Sequence, residues 1–182
     1  MKHDSHPEKH EVKIFCTGGT LDKVYFDALS DYRIGEPVVN DILEEALAGF
    51  SFEVVSILKK DSLDITAEDR QRIVNHVRAE PRTHILITHG TDTMVETARC
   101  LQGIKGKTIV LTGAMQPARF RRTDANFNIG YAIAAAQHLP YGVYLAMNGQ
   151  VFTPQAVHKN REAGQFEHFQ GDVADEKLMP EA

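Results

Sequence analysis

The residues Thr88-His89-Gly90-Thr91-Asp92-Thr93 crowd hydroxyls, a carboxylate, an imidazole and a flexible glycine into one short turn. An apolar run ends just before them and a helical pattern starts just after. A structural turn of this kind needs one capping oxygen, and Thr91, Asp92 and Thr93 offer three. A second turn, Thr17-Gly18-Gly19-Thr20, follows another apolar run. A threonine hydroxyl becomes a nucleophile only when a neighbour takes its proton or lowers its pKa. Backbone N–H groups freed by glycines can then stabilise an oxyanion. Thr20 is therefore read two ways, as a turn residue or as a nucleophile, and Thr91 and Asp92 as helix caps or as site residues. His89 reads as a structural hydrogen-bonder, because no Ser or Cys partner stands at a useful spacing.

Two further matches carry no chemistry. Thr17-Gly18-Gly19-Thr20 is not the G-x-G-x-x-G of a dinucleotide turn. Gly106-Lys107-Thr108 looks like the end of a P-loop, but Leu101 stands where the leading Gly belongs and the triplet precedes a strand. Lys107, at a strand's start, carries little information by itself.

The elements that must position these residues follow from hydrophobic periodicity. Short apolar runs at residues 12–16, 52–58, 84–88, 108–112 and 142–147 read as strands. Helical spacing recurs at Val39, Ile42, Leu43, Ala46 and Leu47, and again at Ile73, Val74 and Val77. Met94, Val95, Ala98 and Leu101 form a third such stripe, and residues 124–137 a fourth helix. Thr66 and Asp69 resemble a capping box opening the second helix, and Pro81 closes its exit. Residues 23–35 read as a hairpin or flap, 59–64 and 113–123 as loops, and periodicity fades from Asn148 onward. Alternating strands and helices imply an α/β fold: a doubly wound, mostly parallel sheet in a flavodoxin/Rossmann-like three-layer sandwich, with no second domain. Right-handed crossovers place the strands' C-terminal ends on one edge, where such sheets bind ligands. The expected divisions are a leader at 1–11, one α/β domain at 12–166 and an acidic tail at 167–182.

Composition narrows the class. The chain has 182 residues, 42% hydrophobic and 25% charged, with a formal net charge of −5. That balance is ordinary for a globular domain with a real core and argues against a general nucleic-acid binder. No apolar run approaches the ~20 residues of a membrane span. The charged, His-rich beginning has no apolar secretory core, so a cytoplasmic location is expected. His3, His6 and His10 are too irregularly spaced to predict a metal site, and no cofactor is expected. Cys16 and Cys100 read as buried free thiols rather than a disulfide.

Taken in order, each at a strand end, Thr17-Gly18-Gly19-Thr20, Thr88-His89-Gly90-Thr91-Asp92-Thr93 and Gly113-Ala114-Met115 resemble the bacterial-type L-asparaginase family. Asp61-Ser62-Leu63-Asp64, and Lys107 before the fourth strand, are matched to the family's places as well. The resemblance spans about residues 12–166. It implies hydrolysis of the side-chain amide of L-asparagine, sometimes also of L-glutamine, through an acyl-enzyme and without metal or cofactor. On this sequence it makes Thr20 the primary nucleophile and Tyr25 the tyrosine that assists it. Thr91, Asp92 and Lys107 become a second constellation, in which Lys107 polarises the Thr91 hydroxyl. Ser62 is implied to hold the substrate α-carboxylate with help from backbone at Gly90, and Asp92 the substrate ammonium. Backbone N–H groups of Gly19 and Thr91 form the implied oxyanion hole, with a carbonyl at Ala114 near the leaving amide. A zwitterionic substrate needs such an acid for its ammonium and donors for its carboxylate.

Typical members add a smaller second domain, which in many supplies an acidic residue to a neighbouring subunit's site. This chain resembles the short, single-domain form, and neither Asp22 nor Asp27 matches a motif that would assign it the missing role. A homodimer or homotetramer is implied by the resemblance alone. The alternatives are an asparaginase-like binding or regulatory domain without turnover, and the amidase component of a tRNA-amidating complex.

Overall fold

The computed structural model describes residues 11–26 and 31–169. His3, His6, His10, Asp27 and most of the expected acidic tail lie outside the described residues. Five strands form the parallel body of a six-stranded sheet: β1 (Glu11–Gly18), β4 (Ser51–Lys60), β5 (His84–Thr88), β6 (Thr108–Thr112) and β7 (Gly142–Met147). With β8 (Gln150–Phe152) the order is β4-β1-β5-β6-β7-β8. The chain steps outward from β1 to β4 and back across to β5, so the switch point lies between β1 and β5.

Alternation along the strands divides the core between two faces. Val12, Ile14, Leu86, Val110 and Ala146 pack against α1 (Val39–Glu45) and α4 (Ala125–His138). Phe15, Ile85, Ile87, Ile109 and Leu111 pack against α2 (Ala67–Ala79) and α3 (Met94–Leu101). The result is the three-layer α/β sandwich that the strand–helix alternation predicts. The Thr66–Asp69 capping box is present at the start of α2. Between β1 and α1, β2 (Lys23–Phe26) and β3 (Asp31–Ile34) pair antiparallel, with Tyr25 opposite Tyr32, as the expected flap hairpin. Among the described residues no helix is long and apolar enough to cross a membrane.

Three expectations need correction. The predicted loop at 59–64 is shorter, because β4 continues to Lys60 and a 3-10 turn occupies Ser62–Asp64. Cys100 is exposed, while Cys16 is buried; on α3 it falls between the buried positions Ala98 and Leu101 and points off their stripe. Among the described residues after Asn148, where periodicity fades, further strands form. Asn148 and Gly149, at φ 54 and 73, form a two-residue turn that folds β8 back on β7, with Met147 opposite Gln150. Asn-Gly between apolar runs is the sequence signal for such a hairpin. A second hairpin follows, β9 (Val157–Asn160) with β10 (Gln165–His168), two residues past the expected domain limit. Val157 and Phe166 fasten it to the α2–α3 side of the core.

Candidate active site

Three turns at the C-terminal edge of the sheet meet backbone to backbone. A Cβ added to Gly19 would lie 2.5 Å from the Cα and N of Gly90, and Gly19 has φ +90. A Cβ added to Gly90 would lie 2.6 Å from the Cβ and Oγ of Ser62. Only glycine permits that approach, so Gly19, Gly90 and Ser62 fix the turns after β1, β5 and β4 against one another. The turn after β6 joins them, since a Cβ on Gly113 would lie 2.3 Å from the His89 carbonyl oxygen. Ala114 follows it and is buried.

Ser62 is 1% exposed and bridges two turns. Its Oγ accepts the Asp92 N–H at 3.2 Å, and its carbonyl accepts the Thr93 hydroxyl at 2.7 Å. The Ser62 hydroxyl proton is left to donate to another acceptor. Asp61, just before it, accepts the Leu63 N–H and pairs with Lys23 at the root of the flap, 2.7 Å away. Thr20 opens a 3-10 turn between β1 and the flap, and the Asp22 N–H closes that turn on the Gly19 carbonyl at 3.2 Å. Tyr25 is half exposed on β2, its ring 5.4 Å from that of Tyr32. No hydrogen bond joins Tyr25 to Thr20 among the described residues.

The amine beside Thr91 is Lys159, not Lys107. Lys159 Nζ, on β9, donates to Thr91 Oγ1 at 2.7 Å and to Asp92 Oδ1 at 2.8 Å. Thr91 is buried, and the Lys159 side chain is mostly so. Lys107 Nζ instead donates to the Glu80 and Arg82 carbonyls, in the link between α2 and β5. The physical reason is strand polarity. Lys107 precedes β6, so it sits at the N-terminal edge, one five-residue strand or roughly 17 Å from the turns that meet at the other end. An ion-pair group of Glu11, Lys13, Glu53, Glu80 and Arg82 gathers at that far edge and marks it as structural. The missed residue lies in the stretch without periodicity. The Asn148-Gly149 turn was the available signal that strands continue there.

His89 behaves as the structural reading expects. It is fully buried, with Nδ1 2.7 Å from the Gly90 carbonyl and Nε2 2.9 Å from Thr97 Oγ1. A carbonyl only accepts, so Nδ1 carries the proton and Nε2 takes the Thr97 hydroxyl. Burial pushes its pKa down to about 4, against a raising contribution from the Gly90 carbonyl and a further lowering from Arg70. The imidazole is neutral near pH 7 and ties the turn to α3. Asp22, 2% exposed, has its carboxyl pushed up to about 6 by burial. The Val38 N–H at 3.0 Å opposes that shift and the Glu36 charge adds to it. Among the described residues no group of three or more His, Cys, Asp and Glu side chains could hold a metal ion.

The arrangement offers a hydroxyl on the segment leading into the flap and a second hydroxyl bonded to a mostly buried amine. The Asp92 carboxylate is bonded to that amine, and Ser62 Oγ accepts the Asp92 N–H beside it. Comparison with known proteins points the same way. A family profile described as "Asparaginase, N-terminal" matches residues 11–175. The chain is 31% identical over 161 residues to a "Probable L-asparaginase periplasmic" of Haemophilus influenzae, across 81% of this chain and 46% of that one. It is 34% identical over 156 residues to "L-asparaginase 1" of Escherichia coli, across 80% of this chain and 46% of that one. A glutamyl-tRNA(Gln) amidotransferase subunit of Saccharolobus islandicus is 30% identical over 150 residues, across 74% of this chain and 32% of that one. Among solved structures, the thermostable L-asparaginase of Thermococcus kodakarensis superposes with a TM-score of 0.74 at 28% identity. That match covers 89% of this chain and 52% of the other. The chain thus spans about half the length of the asparaginases it matches.

Proposed function

The chain belongs to the asparaginase family through its N-terminal domain, and we propose that it hydrolyses the side-chain amide of asparagine, releasing ammonia and leaving aspartate. The observation that carries this reading is the Lys159–Thr91–Asp92 group, at 2.7 and 2.8 Å, set across the Gly19–Gly90 contact from Thr20. In the reaction the Thr20 hydroxyl attacks the amide carbonyl, and its proton passes to a neighbouring base, for which Tyr25 on the flap is the candidate. The oxyanion is held by the N–H groups of Gly19 and Thr91. The same base returns that proton to the leaving nitrogen, so ammonia departs near the Ala114 carbonyl and an acyl ester on Thr20 remains. Water then adds to that ester beside the Thr91 hydroxyl that Lys159 holds, and its proton passes through the base to the departing Thr20 oxygen, which frees aspartate and restores Thr20. Ser62 and the Gly90 backbone orient the substrate carboxylate, and Asp92 accepts from its α-nitrogen. No metal or organic cofactor enters these steps.

Thr20→Ala tests the reading. The variant folds as wild type and releases no ammonia from L-asparagine, while wild-type protein quenched in acid carries an added aspartyl mass on the peptide containing Thr20. Unchanged ammonia release by Thr20→Ala overturns the assignment. A second reading follows from the likeness to the tRNA-dependent amidotransferase, in which the released ammonia serves a partner enzyme. Preference for L-glutamine over L-asparagine, with turnover stimulated by a partner complex, selects it. A third, a binding domain without turnover, is selected by calorimetric binding of L-aspartate with no ammonia release.

A further inference from the structure

The flap is fastened to the site at its stem. Asp22, two residues after Thr20, gathers the flap's two ends: its carbonyl accepts the Gly35 N–H at 2.8 Å and its Oδ1 the Val38 N–H at 3.0 Å. The Leu21 carbonyl accepts the Ala118 N–H at 3.1 Å, which ties the same stem to the loop after β6. Ile34 rests against the end of β1, where a Cβ added to Gly18 would lie 2.9 Å from its Cγ2. Beyond the stem, β2 and β3 form a two-stranded sheet of their own. Such a hairpin is marginal by itself in water, so side-chain contacts decide where its faces point.

One of those contacts reaches the turn that carries Ser62. Lys23 and Tyr25 stand two residues apart on β2, and successive side chains of a strand alternate, so both project from one face and Val24 from the other. Lys23 Nζ lies 2.7 Å from Asp61 Oδ2, and Asp61 immediately precedes Ser62. The face that bears Tyr25 is therefore the face turned toward the end of β4. Asp61 has a second task, because its Oδ1 accepts the Leu63 N–H at 3.2 Å and so caps the 3-10 turn at Ser62–Asp64. Burial alone would raise the Asp61 carboxyl, but Lys23 and the Leu63 N–H outweigh it and hold the group below its ordinary value. The carboxylate is thus ionised near neutral pH, as an ion pair requires. The two side chains are 28% and 30% exposed, so the pair adds little to global stability. Its consequence is geometric.

We propose that Lys23 and Asp61 form a latch that holds the Tyr25 face of the flap against the turn carrying Ser62, making both of them positioning residues for the hydrolysis. This rests on the amidohydrolase reading and adds to it the pair that sets the flap in place over the site. Neither residue touches the substrate. Lys23 acts through Tyr25 and Thr20, and Asp61 acts through the flap on one side and the Ser62 turn on the other.

The test uses the full chain with Lys23→Met, Asp61→Asn, the double variant and Lys23→Arg. Asparagine at position 61 keeps an acceptor for the Leu63 N–H and loses the charge. Each single variant is expected to lower kcat for L-asparagine about tenfold through misplacement of the flap, with KM within about threefold and Tm unchanged. The double variant is no worse than either single one, because both remove the same contact, and Lys23→Arg keeps kcat within about threefold of wild type. Trypsin cleavage after Arg33, followed by mass spectrometry, is about fivefold faster in Lys23→Met and Asp61→Asn than in wild type. The Glu36–Lys59 pair is the control: its side chains are 80% and 46% exposed, and Glu36 lies past the end of β3 rather than on the strand that carries Tyr25. Unchanged kcat in the single variants overturns the proposal, as do losses that multiply in the double variant or an equal loss in Glu36→Gln. Absence of ammonia release from wild-type protein overturns the amidohydrolase reading instead. The latch is then read by trypsin alone: faster cleavage after Arg33 in both single variants supports it, and cleavage at the wild-type rate overturns it.

Discussion

Two lysines competed for one role, and replacing each with methionine separates catalysis from stability. Lys107 is 8% exposed and its ammonium donates to two backbone carbonyls, Glu80 and Arg82. Methionine keeps the stem and removes the donors. Each acceptor left without a partner costs about 1–3 kcal/mol, and the acceptors' position near the sheet edge lets water recover part of that. Lys107→Met therefore destabilises by about 2–4 kcal/mol, or roughly 5–15 °C in Tm for a domain of this size, and keeps its ammonia release at temperatures where it is folded. Lys159 makes no comparable structural contribution. Its partner Asp92 has a side chain 30% exposed and retains Arg161 at 3.5 Å, so Lys159→Met costs about 1 kcal/mol. Loss of the ammonium that donates to Thr91 and Asp92 removes the group that orients and polarises both, and on the proposed reaction costs a factor of about 10²–10³ in kcat. Far-UV circular dichroism melts and a coupled ammonia assay on both variants read the two effects. Loss of activity in Lys107→Met at full thermal stability, with Lys159→Met active, refutes the reasoning.

Three further outcomes follow from the same geometry. Gly90→Ala drives a Cβ to 2.6 Å from Ser62, whose side chain is buried and has nowhere to turn; it should raise KM for L-asparagine more than about tenfold and cost about 1–3 kcal/mol, read by steady-state kinetics and thermal melts. Asp22 binds its proton more tightly folded than unfolded, with a pKa of about 6 against 3.8. The stability it contributes, up to about 3 kcal/mol, is fully present below pH 3.8 and lost as pH rises through 6, so the stability of Asp22→Asn relative to wild type should climb over that window in denaturant titrations. His89 has the opposite sign: its folded pKa of about 4 lies below 6.5, so its contribution is present above pH 6.5 and lost as pH falls toward 4, and its ring proton resonances should not titrate between pH 5.5 and 8.

How much was legible in the sequence follows from which forces act locally. Hydrophobic period and turn chemistry are properties of neighbouring residues, and they sufficed for the alternating strands and helices, the Thr66–Asp69 cap, the flap hairpin and the parallel sheet. Parallel connection then places Gly19, Ser62 and Gly90 on one edge. It also places Lys107 on the other edge, because a residue that precedes a strand cannot share an edge with one that follows its neighbour. Matching Lys107 to a motif by sequence position missed that polarity.

Lys159 could not be found in this way. It lies 68 residues from Thr91, on a four-residue strand whose alternation is too short to read, held in place by Val157 and Phe166 entering a core built from distant elements. The sequence by itself determined the fold class, the edge and the half of the site carried on strand-to-helix turns. Which amine reaches Thr91 and that a second cation shares Asp92 were decided only by tertiary packing. The physical reason is that local propensity acts over a few residues, whereas the partner of a buried hydroxyl is chosen by distance in space.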